Sequence, residues 1–229
     1  PEASDYSNLG VVYLKLERFT DAQRQFERAL EHNPDQIEAQ HNLGVIALQQ
    51  GDLPEAKRIF HAVIKKTSEH LNSYLDLGKI AVYEQAWSLA QNYLNQALAL
   101  EPKHIEALSL KALCAERLED FDTAGTCYLD ILDQDPYHED SLIQLGLLLN
   151  EAEVYGEALK LFERALNLGN TSIPLYNGIG LCFLQTERYT EARNAFLLAL
   201  RQDPENPDLQ RAVQISDELS GQAPLCLIN

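Results

Sequence analysis

Residues 3–36 read ASDYSNLGVVYLKLERFTDAQRQFERALEHNPDQ, and the pattern of this stretch returns five more times along the chain. A small residue recurs every 34 positions, as Gly10, Gly44, Gly78, Ala112, Gly146 and Gly180. An alanine follows each of them twelve positions later, as Ala22, Ala56, Ala90, Ala124, Ala158 and Ala192. Self-similarity at a fixed period is the signature of a repeat protein whose repeats stack on one another.

Each repeat contains two helical patterns. In the first repeat, spacings of three and four residues place one set of side chains on a single helix face, namely Tyr6, Leu9, Gly10 and Tyr13. A second apolar stripe follows, formed by Phe19, Ala22, Phe26, Ala29 and Leu30. A poor helix former then ends the second helix of each repeat, as Pro34, Ser68, Pro102, Pro136, Asn170 and Pro204. The pattern predicts six helix pairs.

The glycine of the first helix needs a compensating contact, because glycine within a helix costs about 1 kcal/mol relative to alanine. We expect this small residue to face the alanine of the second helix, so that the two backbones approach closely. A larger side chain at Ala158 would then overpack the contact.

The motif Tyr6-x2-Leu9-Gly10-x2-Tyr13, with Ala22, Phe26, Ala29 and Pro34, resembles the tetratricopeptide repeat. The six repeats span residues 3–36, 37–70, 71–104, 105–138, 139–172 and 173–206, and a capping helix covers residues 207–221. The resemblance implies an all-α fold, a right-handed superhelical solenoid of antiparallel helix pairs that forms one array over residues 1–221. Residues 222–229 form an apolar tail outside the repeats.

In this family the first helix of every repeat lines a concave groove, so the resemblance implies a binding site there. Carried over position by position, the candidate peptide-binding groove consists of Asn8, Val11, Leu14, His41, Asn42, Val45, Leu48, Asp76, Lys79, Val82, Leu113, Leu147, Asn177 and Leu181. Most of these side chains are aliphatic, and an exposed apolar stripe marks a binding surface. Asn8 and Asn42 suit the backbone of an extended peptide, since an amide both donates and accepts hydrogen bonds. The alternative, that both are simply polar groove residues, stays open.

Charge narrows the choice of partner. The chain carries 18 Lys and Arg against 35 Asp and Glu, a formal net charge of -17 that argues against nucleic acid as a partner. Family members that capture the terminal carboxylate of chaperones use several cations in the groove, whereas only Lys79 could serve here. Residues 71–172 hold 17 acidic and 6 basic residues. This acidic region could steer a basic partner segment, or it could be a solvated face.

No catalytic, cofactor or metal site is predicted. His70, His104 and His138 share one repeat position, but equivalent sites on stacked repeats lie too far apart to converge on one zinc ion. The four cysteines form no CxxC pair and are interpreted as free thiols, which favours a reducing, cytoplasmic location. No apolar run is long enough for membrane insertion.

The sequence therefore predicts a non-enzymatic scaffold or adaptor that binds an extended or amphipathic helical segment of another protein. Two alternatives stay open. One is self-association, in which a second copy or the C-terminal tail fills the groove. The other is that the chain is the substrate-recruiting arm of a larger enzyme.

Overall fold

The computed structural model describes residues 2–221, and within them every regular element is an α-helix. The first helices of the repeats are α1 (Ala3–Lys15), α3 (Ile37–Gln49), α5 (Leu71–Tyr83), α7 (Ile105–Arg117), α9 (Glu139–Glu151) and α11 (Ile173–Gln185). The second helices are α2 (Phe19–His32), α4 (Leu53–Lys66), α6 (Trp87–Leu100), α8 (Phe121–Gln134), α10 (Tyr155–Asn167) and α12 (Tyr189–Leu200). The expected capping helix is α13 (Pro207–Ser220), and Gly221 ends it in the left-handed conformation. The six helix pairs are thus confirmed.

The described chain forms two compact units, divided between Glu119 and Asp120. Unit 1 contains α1 to α7, and unit 2 contains α8 to α13. The division separates the two helices of the fourth repeat. A single array over residues 1–221 stays a prediction, and the tail at residues 222–229 lies outside the described residues.

Four of the five repeat glycines leave space for an aromatic ring, a contact that the sequence analysis did not predict. A Cβ atom added to Gly10 would lie 2.6 Å from the ring of Phe26, and one added to Gly146 would lie 2.5 Å from the ring of Phe162. Gly44 and Gly180 face phenylalanine rings in the same way, while Gly78 faces Leu94. The alanine series remains fully buried in the core, but the glycine is required by the large side chain sixteen positions later.

The turn between the two helices of a repeat contains one residue in the left-handed conformation. In the second repeat this residue is Gly51, with φ of 79°. At the same repeat position the other turns use Glu17, Gln85, Glu119, Glu153 and Glu187, with φ between 56° and 61°. A side chain with a Cβ pays a conformational cost there, so each of these five turns stores a small strain.

The histidines that share one repeat position cap the following helix. The Nδ1 atoms of His70, His104 and His138 accept hydrogen bonds from the backbone N–H groups of Ser73, Ala107 and Ser141, at 3.2, 3.2 and 3.3 Å. Asn206 caps α13 from the same position. These side chains satisfy backbone donors that a helix start leaves without partners.

Some contacts between helices that are not consecutive in the chain join first helices of successive repeats. They join α1 to α3 and α5 to α7 in unit 1, and α9 to α11 in unit 2. We call the side of unit 1 formed by α1, α3, α5 and α7 its inner face.

Two of the cysteines lie in the core. Cys114 and Cys182 are free thiols that are fully buried at the same repeat position, and burial raises the pKa of each to about 11. Cys127 is also buried, and Cys226 lies outside the described residues. Across residues 2–221, no helix combines the length and the apolar character needed to cross a bilayer.

Candidate functional site

Eleven of the fourteen predicted groove residues lie on the four inner helices of unit 1. They are Asn8, Val11 and Leu14 on α1, His41, Asn42, Val45 and Leu48 on α3, Asp76, Lys79 and Val82 on α5, and Leu113 on α7. Asn8 is exposed, His41 is buried, and the others are half-buried. The remaining three belong to unit 2, where Leu147 lies on α9 and Asn177 and Leu181 lie on α11, all half-buried.

The aliphatic groove residues have two roles. Val11 and Leu14 pack against the core cluster of Ala22, Phe26 and Ala29 with one side of their side chains. Val45 and Leu48 pack in the same way against the cluster around Phe60 and Ile80. Each side chain nevertheless keeps part of its surface open to solvent, so an apolar stripe that is anchored in the core runs along the inner face.

His41 lies within the packing between the second and third repeats, where only 6% of its surface is exposed. Its ring lies 5.2 Å from that of Phe60 and 4.7 Å from that of His70, measured between centroids. Its Nδ1 atom is 3.1 Å from the hydroxyl oxygen of Ser73. Burial, and then the proximity of His70, lower the pKa of His41 to about 4, so that its ring is neutral at pH 7.

Asp76 on α5 is a largely buried carboxylate of the inner face. Its side chain is 15% exposed, and its Oδ2 atom lies 3.6 Å from Nε2 of the neutral His41. The Nζ atom of Lys79 lies 3.8 Å from its Oδ1 atom and only 2.8 Å from Glu106 on α7. Burial raises the pKa of Asp76 to about 6, because the lysine only partly offsets desolvation and Glu106 adds repulsion. The one lysine of the predicted groove is thus already engaged by two carboxylates.

A cavity opens at the edge of the inner face, where the end of α3 and the start of α4 meet α5. This inner cavity has a volume of about 320 Å³ and is lined by Leu48, Gly51, Leu53, Lys79, Ile80 and Tyr83. Tyr83 is 76% exposed. Sequence reasoning missed it, although tyrosine stands out in a repeat position otherwise occupied by Lys15, Gln49, Arg117, Glu151 and Gln185.

Among the described residues, no group of three or more His, Cys, Asp or Glu is placed to hold a metal ion. The inner face combines aliphatic side chains, amides and a cavity.

Comparison with known families identifies the repeat. One family model described as tetratricopeptide repeat matches residues 8–66 and 75–139, and a second such model matches residues 149–214. The general transcriptional corepressor ssn6 of Schizosaccharomyces pombe is 26% identical over 103 residues, which cover 44% of this chain and 9% of the corepressor. The chain therefore spans less than a tenth of the length of that relative.

Several solved structures share the fold. PilF of Pseudomonas aeruginosa superimposes with a TM-score of 0.76 at 16% identity, covering 91% of this chain and 95% of PilF. YrrB, described as a TPR protein with an unusual peptide-binding site, gives a TM-score of 0.74 at 16% identity, covering 82% of this chain and 96% of YrrB. PilW, a type IV pilus biogenesis factor, gives a TM-score of 0.69 at 15% identity, covering 92% of this chain and 98% of PilW. At these identities the likeness shows the fold alone.

Proposed function

The chain belongs to the tetratricopeptide repeat family, and from this premise we propose that the inner face of unit 1 binds an extended or amphipathic helical segment of a partner protein. Proteins of this family are generally non-enzymatic interaction scaffolds. The observation that carries the proposal is the partly open apolar stripe of α1, α3 and α5, which ends at the inner cavity.

The stripe has the properties of a preformed binding surface. Val45 and Leu48 pack against the core cluster around Phe60. Because their side chains are already ordered, binding costs them little side-chain entropy. Apolar area that a partner covers supplies affinity in proportion to the area removed from water. The stripe would therefore provide most of the binding energy.

Amide groups beside the stripe would orient the bound chain. Asn8 and Asn42 share one repeat position on α1 and α3, so we expect both side chains to lie along the same edge of the apolar stripe. An asparagine side chain can donate to a peptide carbonyl and accept from a peptide N–H. YrrB, with its peptide-binding site, is a precedent for peptide binding by a stack of this fold.

The experiment is capture of partners from an extract of the source cells on the immobilised chain, followed by titration of the recovered partner. Val45→Asp with Leu48→Asp should weaken binding at least about tenfold, because two charges would be buried against apolar partner surface. Leu89→Asp with Leu100→Asp is the matched control, since both leucines are exposed on α6 outside the inner face.

Circular dichroism must show unchanged helicity for the Val45 and Leu48 variant. The milder double substitution Asn8→Ala with Asn42→Ala leaves the core intact and should also reduce affinity. Unchanged affinity in both inner-face variants would place the binding site elsewhere, and recovery of the chain itself as the sole partner would favour self-association.

A further inference from the structure

The inner cavity is a partly open depression with mainly apolar lining. Leu48, Leu53 and Ile80 form apolar walls, and the exposed ring of Tyr83 stands beside the opening. Gly51 borders open space, because a Cβ atom added there would meet nothing within 4 Å. Its volume of about 320 Å³ lies at the lower end of the range of roughly 300–1,000 Å³ that is typical of ligand pockets.

The cavity is backed by rigid core. Ile80 belongs to the buried cluster that contains Ala56, Phe60 and Leu77, and Leu48 and Leu53 pack against the same cluster. Walls fixed in this way do not collapse onto each other, so a side chain that enters makes contacts without reorganising the repeat.

Negative charge exceeds positive charge around the opening. Lys79 lines the cavity, but Glu106 holds its ammonium at 2.8 Å and Asp76 lies 3.8 Å from it. Beside the cavity, two carboxylates therefore face one ammonium group.

This excess selects among partner residues. A carboxylate brought to the opening would meet an already engaged lysine and the repulsion of the surrounding acids. A lysine or arginine would gain attraction from Glu106, whose side chain is 53% exposed, and from Asp76, whose side chain is 15% exposed. Arginine can contact a carboxylate in a bidentate manner, which adds geometric specificity.

We propose that the inner cavity holds a large apolar side chain of the partner segment and that an adjacent lysine or arginine of that segment contacts Glu106 and Asp76. The inference rests on the proposed function, since it specifies the chemistry of the segment bound at the inner face. The chain thus recognises an apolar residue next to a basic residue.

Selection of a library of random peptides on the full chain tests this recognition. The enriched peptides should carry Phe, Leu, Ile or Met next to Arg or Lys, and a synthetic copy should bind in titration calorimetry. Tyr83→Ala removes an exposed side chain without disturbing the core and should weaken that peptide at least about tenfold, as loss of an aromatic contact at a pocket does. Glu106→Gln should weaken it about fivefold and reduce the salt dependence of binding.

A double-mutant cycle identifies the charge contact. Replacing the basic residue of the peptide by Gln should cost clearly less affinity on Glu106→Gln than on the native chain, because the two changes remove the same interaction. Peptides that lack the apolar and basic pair, or that bind Tyr83→Ala and Glu106→Gln as tightly as the native chain, would overturn the inference.

The Asn8→Ala with Asn42→Ala variant separates this inference from the proposed function. Peptides that lose affinity on that variant but not on Tyr83→Ala or Glu106→Gln bind the inner face by another chemistry, which overturns the inference alone. Two outcomes would contradict both the inference and the proposed function. One is a set of peptides that bind all three variants as tightly as the native chain, and the other is a library that yields no binder.

Discussion

At the scale of single residues, the helix pairs depend on glycines that leave space for a ring. The backbone of Gly146 lies against Phe162, which is fully buried, and the same arrangement joins Gly10 to Phe26. The sequence predicted the need for a small residue, but it assigned the contact to the alanine series. Spacing along one helix cannot show which side chain of the neighbouring helix points at the glycine.

Gly146→Ala should lower the free energy of unfolding by about 1–3 kcal/mol, because the new methyl group would lie 2.5 Å from the ring of Phe162. Gly125→Ala on α8 is the matched control, since its Cβ atom would meet only Leu145, at 3.9 Å. The control should gain up to about 1 kcal/mol from helix propensity. Urea unfolding of both variants checks this, and equal effects would contradict the ring-packing account.

The neighbouring His41 and Asp76 titrate with opposite effects on stability. The folded pKa of Asp76, about 6, exceeds the ordinary value of 3.8, so the folded state binds more protons and this contribution to stability is lost as pH rises from 4 to above 6. The folded pKa of His41, about 4, lies below 6.5, so its contribution is lost as pH falls from 6.5 to 4. The two effects offset each other over the same pH range.

Asp76→Asn should remove the contribution of Asp76 and leave only the effect of His41 on stability. Its free energy of unfolding relative to the native chain should rise by about 1–3 kcal/mol between pH 4 and pH 7, because the buried carboxylate is costly only when it is ionised. Urea titrations at several pH values measure the difference, with the exposed Glu163→Gln as a control for lost negative charge. A difference that does not change with pH would show that Asp76 is not strained by burial.

At the scale of the elements, helix boundaries follow from positions that the repeat register holds in common. Gly51 marks the turn between paired helices, and its register equivalents include Glu153, which adopts φ of 61°. The register alone could have located these turns. It could not predict that a glutamate adopts the left-handed backbone conformation, because glutamate has no intrinsic preference for positive φ.

Glu153→Gly should raise the free energy of unfolding by about 0.5–1 kcal/mol, since glycine adopts positive φ without a Cβ penalty. Glu151→Gly, two residues earlier in the last turn of α9, is the control and should lower it by about the same amount. Thermal or urea unfolding distinguishes the two. A loss of stability in Glu153→Gly would mean that the glutamate side chain stabilises the turn.

At the scale of the whole molecule, the fold could be predicted because one period of 34 residues governs nearly all of the chain. The candidate site could be predicted only in outline. Burial of His41 and exposure of Tyr83 depend on how one repeat packs on the next, which no pattern within a repeat specifies. The acidic region of residues 71–172 as a steering surface stays a prediction.

Methyl NMR of the chain bound to its partner segment tests the central claim most directly. Binding at the inner face predicts shifts at the methyl groups of Val45, Leu48 and Val82, while the exposed Leu198 and Leu219 of unit 2 stay unchanged. Shifts confined to Leu198 and Leu219, with the inner-face methyl groups undisturbed, would contradict the account.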